Sequence, residues 1–312
     1  MATLLQPRTS VPHVALSMAP EAQNLVKRRG RRGLYVSMLS EDFGNRHYAY
    51  EMGLDFDGVD YETGDDIVTG LLHEVSQYRR ESATRLFPQL ISRVVSDHLN
   101  SGRCMFELFG DSHNESPGPR LGILPAWSLR HRRGRTLQAI PRAGDLEWRT
   151  LPTAALVEFR LPGKYGKELY RTAKRLQAVD ARPLGDPALV FGAAAAGYDF
   201  NTHRNTLDEM AARATRFIGW DGRRAFLGRA TDSYRTYRSL RFLRTWLTIV
   251  SAVTETMNVI CNRPEVTTRR PFKMRVTGLP TIQDVERSMV AVISGTESLG
   301  DIFNHILHPR RS

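Results

Sequence analysis

Cysteine is scarce in this chain of 312 residues: Cys104 and Cys261 are its only two. They lie far apart among apolar neighbours, the setting of buried free thiols, which argues against a disulfide framework and for a reducing compartment. Long hydrophobic runs are also missing. The most apolar stretch, Phe242 to Ile260, is broken by Arg244, Glu255, Asn258 and several threonines, so no membrane span is expected. The start of the chain lacks the basic–apolar–small order of a secretion signal, and no secretion is expected. The G-x-x-x-x-G-K-[ST] loop of ATP-driven motors and the G-x-S-x-G turn are absent, and neither cysteine has a recognisable catalytic setting. Basic residues nearly vanish between Glu41 and Asp66, where Arg46 stands among nine acids. Elsewhere they dominate. The net charge is +11 and the isoelectric point is near 10.0. That balance favours a polyanionic partner such as nucleic acid, and a codon bias toward arginine accounts for it equally well.

Along the chain, residues 1–33 read as a flexible basic arm ending in KRRGRRG, either a phosphate contact or a solvated tail. Asp55, Asp57 and Asp60 fall near each other without the D-x-[DN]-x-[DN]-G order, so no ion site is expected. Helices are expected from Asp65 to Asn100. Leu86, Leu90, Ile91, Val94, Val95 and Leu99 recur at three and four residues, Pro88 suits a first turn, and Asn100-Ser101-Gly102 stops the helix. From Gly102 to Gly163 the pattern is of strands. The first carries Glu107, Asp111 to Pro119 is a polar turn, and the next strand carries Leu124-Pro125. A third, Thr136 to Pro141, pairs with the one before it, and a last runs from Ala155 to Leu161.

After Gly163 the pattern turns helical, over Lys164–Val179 and Thr206–Ile218, with a loop at Arg182–Asp199. Thr231 to Asn262 reads as the longest helix, roughly 45 Å if unbroken. Leu240, Leu243, Leu247, Val250, Val253, Met257 and Ile260 form its apolar face. Arg269–Val276 is an edge strand, and Thr281 with Asp284 caps a helix reaching about Ile293. A last helix covers Ser298–Leu307. The expected class is α+β: a helix-and-antiparallel-strand module followed by a long-helix half.

Few residues suggest chemistry. Asp301, His305 and His308 lie within one helix's reach but lack a third strong ligand type, so no metal is expected. His73, Glu74 and His98 have no partners at recognisable spacing and read as surface or satisfied core residues. Tyr234 and Tyr237 among arginines invite a recombinase reading, with tyrosine as nucleophile. Their spacing of three at the head of an amphipathic helix suits packing, and no H-x-x-R pair precedes them. Arg235, Arg238, Arg241 and Arg244 step by three along the long helix and spread around its polar side. The RHRRGR run, including Arg132 and Arg133, lies between two strands as a phosphate contact or a solvated hairpin tip. These six arginines are the candidate contacts to nucleic acid or to a neighbouring subunit; no catalytic residue and no cofactor are expected.

The order of these landmarks resembles the core of tailed-bacteriophage portal proteins. Gly102-Arg103-Cys104-Met105-Phe106-Glu107, Leu121-Gly122-Ile123-Leu124-Pro125, Val157-Glu158-Phe159, Phe217-Ile218-Gly219-Trp220, the YRTYRSLRF run and Met257-Asn258 carry the resemblance, which covers roughly Asp66 to Arg263. It implies a wing-like module at 34–163, stem- and clip-like helices with a loop at 164–230, and a long helix with a small C-terminal α/β region at 231–312. It also implies a non-enzymatic ring homo-oligomer, usually a dodecamer, at one capsid vertex of a virion assembled in the host cytoplasm. Double-stranded DNA passes through such a ring in packaging and ejection, and the ring meets terminase, the major capsid protein and the tail connector. The chain is short for that family. The competing readings are a recombinase-like nucleic-acid-processing enzyme and a monomeric DNA-binding accessory protein.

Overall fold

The computed structural model describes residues 5–22, 33–75, 81–111, 118–142, 145–181, 200–222, 232–267 and 272–307. In chain order the elements are α1 (His13–Met18), α2 (Leu34–Asn45), β1 (Gly53–Asp57), α3 (Tyr61–Leu71) and α4 (Ala83–Ser101), then β2 (Met105–Asp111), β3 (Gly118–Leu124), β4 (Leu129–Arg132), β5 (Arg135–Arg142), β6 (Asp145–Thr150) and β7 (Leu156–Glu158). There follow α5 (Tyr165–Asp180), α6 (Phe200–Ala214), α7 (Asp232–Cys261), β8 (Lys273–Thr277), α8 (Ile282–Ser294) and α9 (Leu299–Ile302). The protein is α+β. It divides into two compact units, one of residues 1–31, 51–166 and 249–279, the other of 32–50, 167–248 and 280–312. Every strand falls in the first unit, and the described residues of the second form no strand.

In the strand-bearing unit three antiparallel sheets form, with orders β1-β8, β3-β2-β7 and β4-β5-β6. Helix α4 supplies much of the core: Leu86, Phe87, Leu90, Ile91, Val94, Val95 and Leu99 are buried, the apolar face expected from their spacing. The helix starts earlier than expected, so Pro88 lies in its second turn, not its first. It is tolerated there although it has no N–H to donate to the preceding turn. The first N–H of the helix, that of Ala83, donates to Asp65 Oδ1 (3.0 Å), so its cap comes from α3. Gly102, in the left-handed region at φ 75°, closes the helix with its N–H on the His98 carbonyl.

The strand expected at Thr136–Pro141 belongs to a different sheet from Gly118–Leu124. The intervening β4 pairs with it on one side and β6 on the other, while β3 and the short β7 flank β2. The acidic stretch finds its complement across β1 and β8. Asp55 faces Arg275 and Asp57 faces Lys273 in the ladder, and Asp57 also pairs with Arg275. Asp60 caps α3 by accepting the Thr63 N–H (2.8 Å).

Residues 5–22, expected to be part of a flexible arm, are instead packed. Leu16 and Ala22 are buried, and the Gly110 N–H donates to the Gln6 carbonyl (2.9 Å). The reason lies in Glu107 and Gln138, polar side chains buried in the sheets. Glu107 accepts the backbone N–H groups of Thr9 and Ser10 (2.9 Å each) and the Thr9 hydroxyl. Gln138 accepts the Val11 N–H (2.9 Å) and donates to the Val11 carbonyl (3.2 Å). Burying these two side chains without partners would be costly, and the segment satisfies them. The basic run at 27–32, the turn at 112–117, the loop at 182–199 and His308 lie outside the described residues.

In the helical unit Phe43 packs on Phe242 (4.6 Å between ring centroids) and Tyr50 stacks on Trp246 (6.0 Å), which is fully buried. Asp284 and Thr281 form the expected capping box of α8, each side chain accepting the other's backbone N–H. Helix α7 contributes residues to both units, and its expected apolar face is buried throughout.

Candidate nucleic-acid interface

All four arginines on α7 have partners within the helical unit. Arg238 is only 4 % exposed. Its Nη2 donates to the Ala212 carbonyl (3.2 Å), the Thr215 hydroxyl (3.1 Å) and the Trp220 carbonyl. It therefore fastens the end of α6 and the following turn, and it is unavailable as a surface contact. The cause is the turn itself. Gly219, at φ 85°, lies so close to α7 that an added Cβ would stand 2.5 Å from the Phe242 nitrogen, and this brings carbonyls against the helix. Arg241 donates to the Phe217 carbonyl (3.0 Å), with its guanidinium 5.9 Å from the centre of the Tyr237 ring. Arg244 pairs with Glu286 at 2.6 Å. Arg235 stands 3.9 Å from Asp232.

Arg132 and Arg133 differ. Both are exposed, on the tight β4–β5 hairpin. Arg133 and Gly134 both take positive φ (50° and 74°), as a two-residue primed turn requires. An arginine there accepts backbone strain that asparagine or glycine would relieve. Arg132 faces Arg135 directly across the ladder, a like-charge pairing that is unfavourable without an anion nearby. Strand β4 is the edge of its sheet, so alternate backbone N–H groups also point outward along this margin.

The hairpin borders a cleft of about 520 Å³ lined by Ser101, Arg103, Leu129, Arg130, His131 and Arg132 among others. Arg103 follows the left-handed Gly102 at the junction of α4 and β2. Neither the arginine spacing of α7 nor the hairpin run points to it; its only sequence signal is an arginine placed immediately after a helix stop. Arg130 lies 4.0 Å over the Trp148 ring, which orients its guanidinium. His131 Nδ1 is 3.1 Å from the Thr136 hydroxyl. Partial burial lowers the His131 pKa, with the charge of Arg103 acting in the same direction and Glu158 opposing. Glu158 itself is tied to Arg160 at 2.6 Å. Among the described residues no carboxylate pairs with Arg103, Arg130, Arg132, Arg133 or Arg135.

The remaining polar clusters are structural. Burial raises the Cys104 pKa well above the thiol range and pushes that of Cys261 up to about 12, which keeps both thiols protonated and unreactive. Cys104 donates to Asp97 (3.5 Å), which Arg93 also holds (3.1 Å). His98 Nε2–H donates to the Phe159 carbonyl at 2.8 Å, which fixes the tautomer. Glu74 pairs with Arg8. Asp301 accepts the Ser298 hydroxyl (2.6 Å), and His308 lies outside the described residues. Among the described residues no helix is long and apolar enough to cross a membrane.

No family model matches the chain, and no curated protein does.

Proposed function

We propose that this chain is a portal-type subunit. Copies of it assemble into a ring, expected to be dodecameric, at a capsid vertex of a virion. Duplex DNA passes through the ring in packaging and ejection, and terminase, the major capsid protein and the tail connector dock on it. The observation that carries this reading is the order of elements from α4 to α7. A helix closed by a left-handed glycine leads into an antiparallel wing with Glu107 on its central strand. Two helices follow, α5 and α6, then a turn at Gly219, then a helix of 30 residues.

Two physical features support it. Val259, Val290 and Ile293 are apolar yet more than half exposed on long helices, as surfaces that meet a second copy are. The exposed hairpin arginines supply sequence-independent attraction for a phosphate backbone. On this reading the buried Arg238 serves the subunit's own fold, and contacts to DNA or to neighbours fall to exposed groups such as Arg132 and Arg133.

Electron microscopy and light scattering of the purified chain test ring formation. A DNA-nicking activity abolished by Tyr237→Phe would replace this reading with that of a nucleic-acid-processing enzyme.

A further inference from the structure

We propose that the cleft between the α4–β2 junction and the edge of β4 is a binding site for a phosphodiester backbone, with Arg103, Arg130 and Arg132 as its phosphate ligands and Ser101 and His131 at its margin. Guanidinium groups from two separate parts of the chain meet at this cleft. Arg103 comes from the helix stop, and Arg130 and Arg132 come from the edge strand. None of the three has a carboxylate partner among the described residues, whereas Arg142, Arg160, Arg171 and Arg275 all do. Glu158, the carboxylate that acts on His131, is tied to Arg160, and three guanidinium groups gathered without a bonded carboxylate are unfavourable unless an anion or water screens them.

The chemistry selects a polymer of phosphates over a single anion. Arg130 and Arg132 are two residues apart on one strand face, about 6.7 Å by strand geometry, close to the spacing of consecutive backbone phosphates. Trp148 holds Arg130 in one orientation, so its planar fork is already placed for bidentate contact. Guanidinium contacts to backbone phosphates carry no sequence information, so the binding proposed is independent of sequence.

This site deepens the portal reading by naming where the subunit touches DNA, but it does not depend on ring formation. The two are separated because binding is measured on the unassembled chain. The charged edge has a second possible meaning, in which the arginines only prevent strand-to-strand association of copies, and the experiment distinguishes it.

The test is fluorescence anisotropy with a labelled DNA duplex across a salt series, on the full chain and on the Arg103→Ala/Arg132→Ala double variant. Both substituted side chains are exposed, and circular dichroism verifies folding. The expected result is at least about tenfold weaker binding at low salt and a salt slope smaller by about 2, near 0.9 per lost phosphate contact. Arg241→Ala, whose guanidinium is bonded within the helical unit, is expected to leave the slope unchanged. Unaltered affinity and slope in the double variant would overturn the proposal. So would polyglutamate binding as tightly as duplex with the same dependence on these arginines, which would assign the cleft to an acidic protein. New self-association of the double variant with unchanged DNA binding would assign the arginines to edge protection.

Discussion

Asn258 holds both backbone groups of Met274: its Oδ1 accepts the Met274 N–H at 2.7 Å and its Nδ2 donates to the Met274 carbonyl at 3.0 Å. One turn later Asn262 does the same for Phe272, at 3.0 and 2.8 Å. Two asparagines spaced by one helical turn thus hold Phe272, just before β8, and Met274 within it, standing in for the strand that would otherwise pair the second edge. Asn258→Leu removes both bonds and leaves the Met274 N–H and carbonyl without partners. It is expected to lower unfolding stability by about 2–4 kcal/mol, from two lost bonds at 1–2 each, in urea denaturation. Asn258→Asp keeps the acceptor but sets a carboxylate against the carbonyl, and is expected to cost at least as much.

Glu107, 1 % exposed, is the anchor of the amino-terminal segment. Glu107→Gln replaces an oxygen that accepts the Ser10 N–H, or one serving Thr9, with an amino group. Stability is expected to fall by about 1.5–3 kcal/mol, the range for a hydrogen bond to a charged group. The segment loosens with it. Limited proteolysis is expected to cut residues 5–22 earlier in the variant than in the parent.

Arginines on one helix are expected to behave unequally. Arg238→Ala leaves buried carbonyls short of a donor and is expected to cost about 2–3 kcal/mol. Arg244→Ala breaks an exposed pair with Glu286 and is expected to cost under about 1 kcal/mol, with the difference shrinking further in high salt. Thermal denaturation of the two variants in parallel checks this order.

His98 sets a pH dependence. Burial holds its pKa below the ordinary histidine value of 6.5, with the bond to Phe159 the largest opposing influence. The folded state therefore resists a proton that the unfolded chain accepts. Its stabilising contribution is present above about pH 6.5 and is lost as pH falls from there toward the lower folded pKa. Asp97 acts with the opposite sign, because burial raises its pKa above the ordinary carboxylate value. His98→Gln, which retains an N–H donor for the Phe159 carbonyl, is expected to flatten the loss of stability just below pH 6.5 in denaturation curves. His13, His47 and His131, also lowered by burial, contribute to the slope that remains.

Much of the fold was legible where periodicity and capping act locally. The apolar faces of α4 and α7, the Gly102 stop and the Thr281–Asp284 box follow from spacing alone. What was hidden depends on contacts far apart in sequence. Residues 5–22 look like a polar arm because the groups that hold them, Glu107 and Gln138, lie about a hundred residues away. The acids of β1 look unexplained until β8 brings Lys273 and Arg275 opposite them. For the candidate interface, the hairpin arginines stood out as a basic run, but Arg238 did not reveal its burial. A regular step of three along a helix says which direction a side chain leaves the axis and nothing about the carbonyls of the Gly219 turn that meet it.

The central claim is ring assembly, and the most direct measurement is negative-stain microscopy of the purified full chain combined with light scattering at micromolar concentration, alone and with capsid or scaffold partner. The account predicts closed rings with a central opening and a mass near twelve times the 35.3 kDa subunit. A stable monomer, with no rings in either condition, would contradict it.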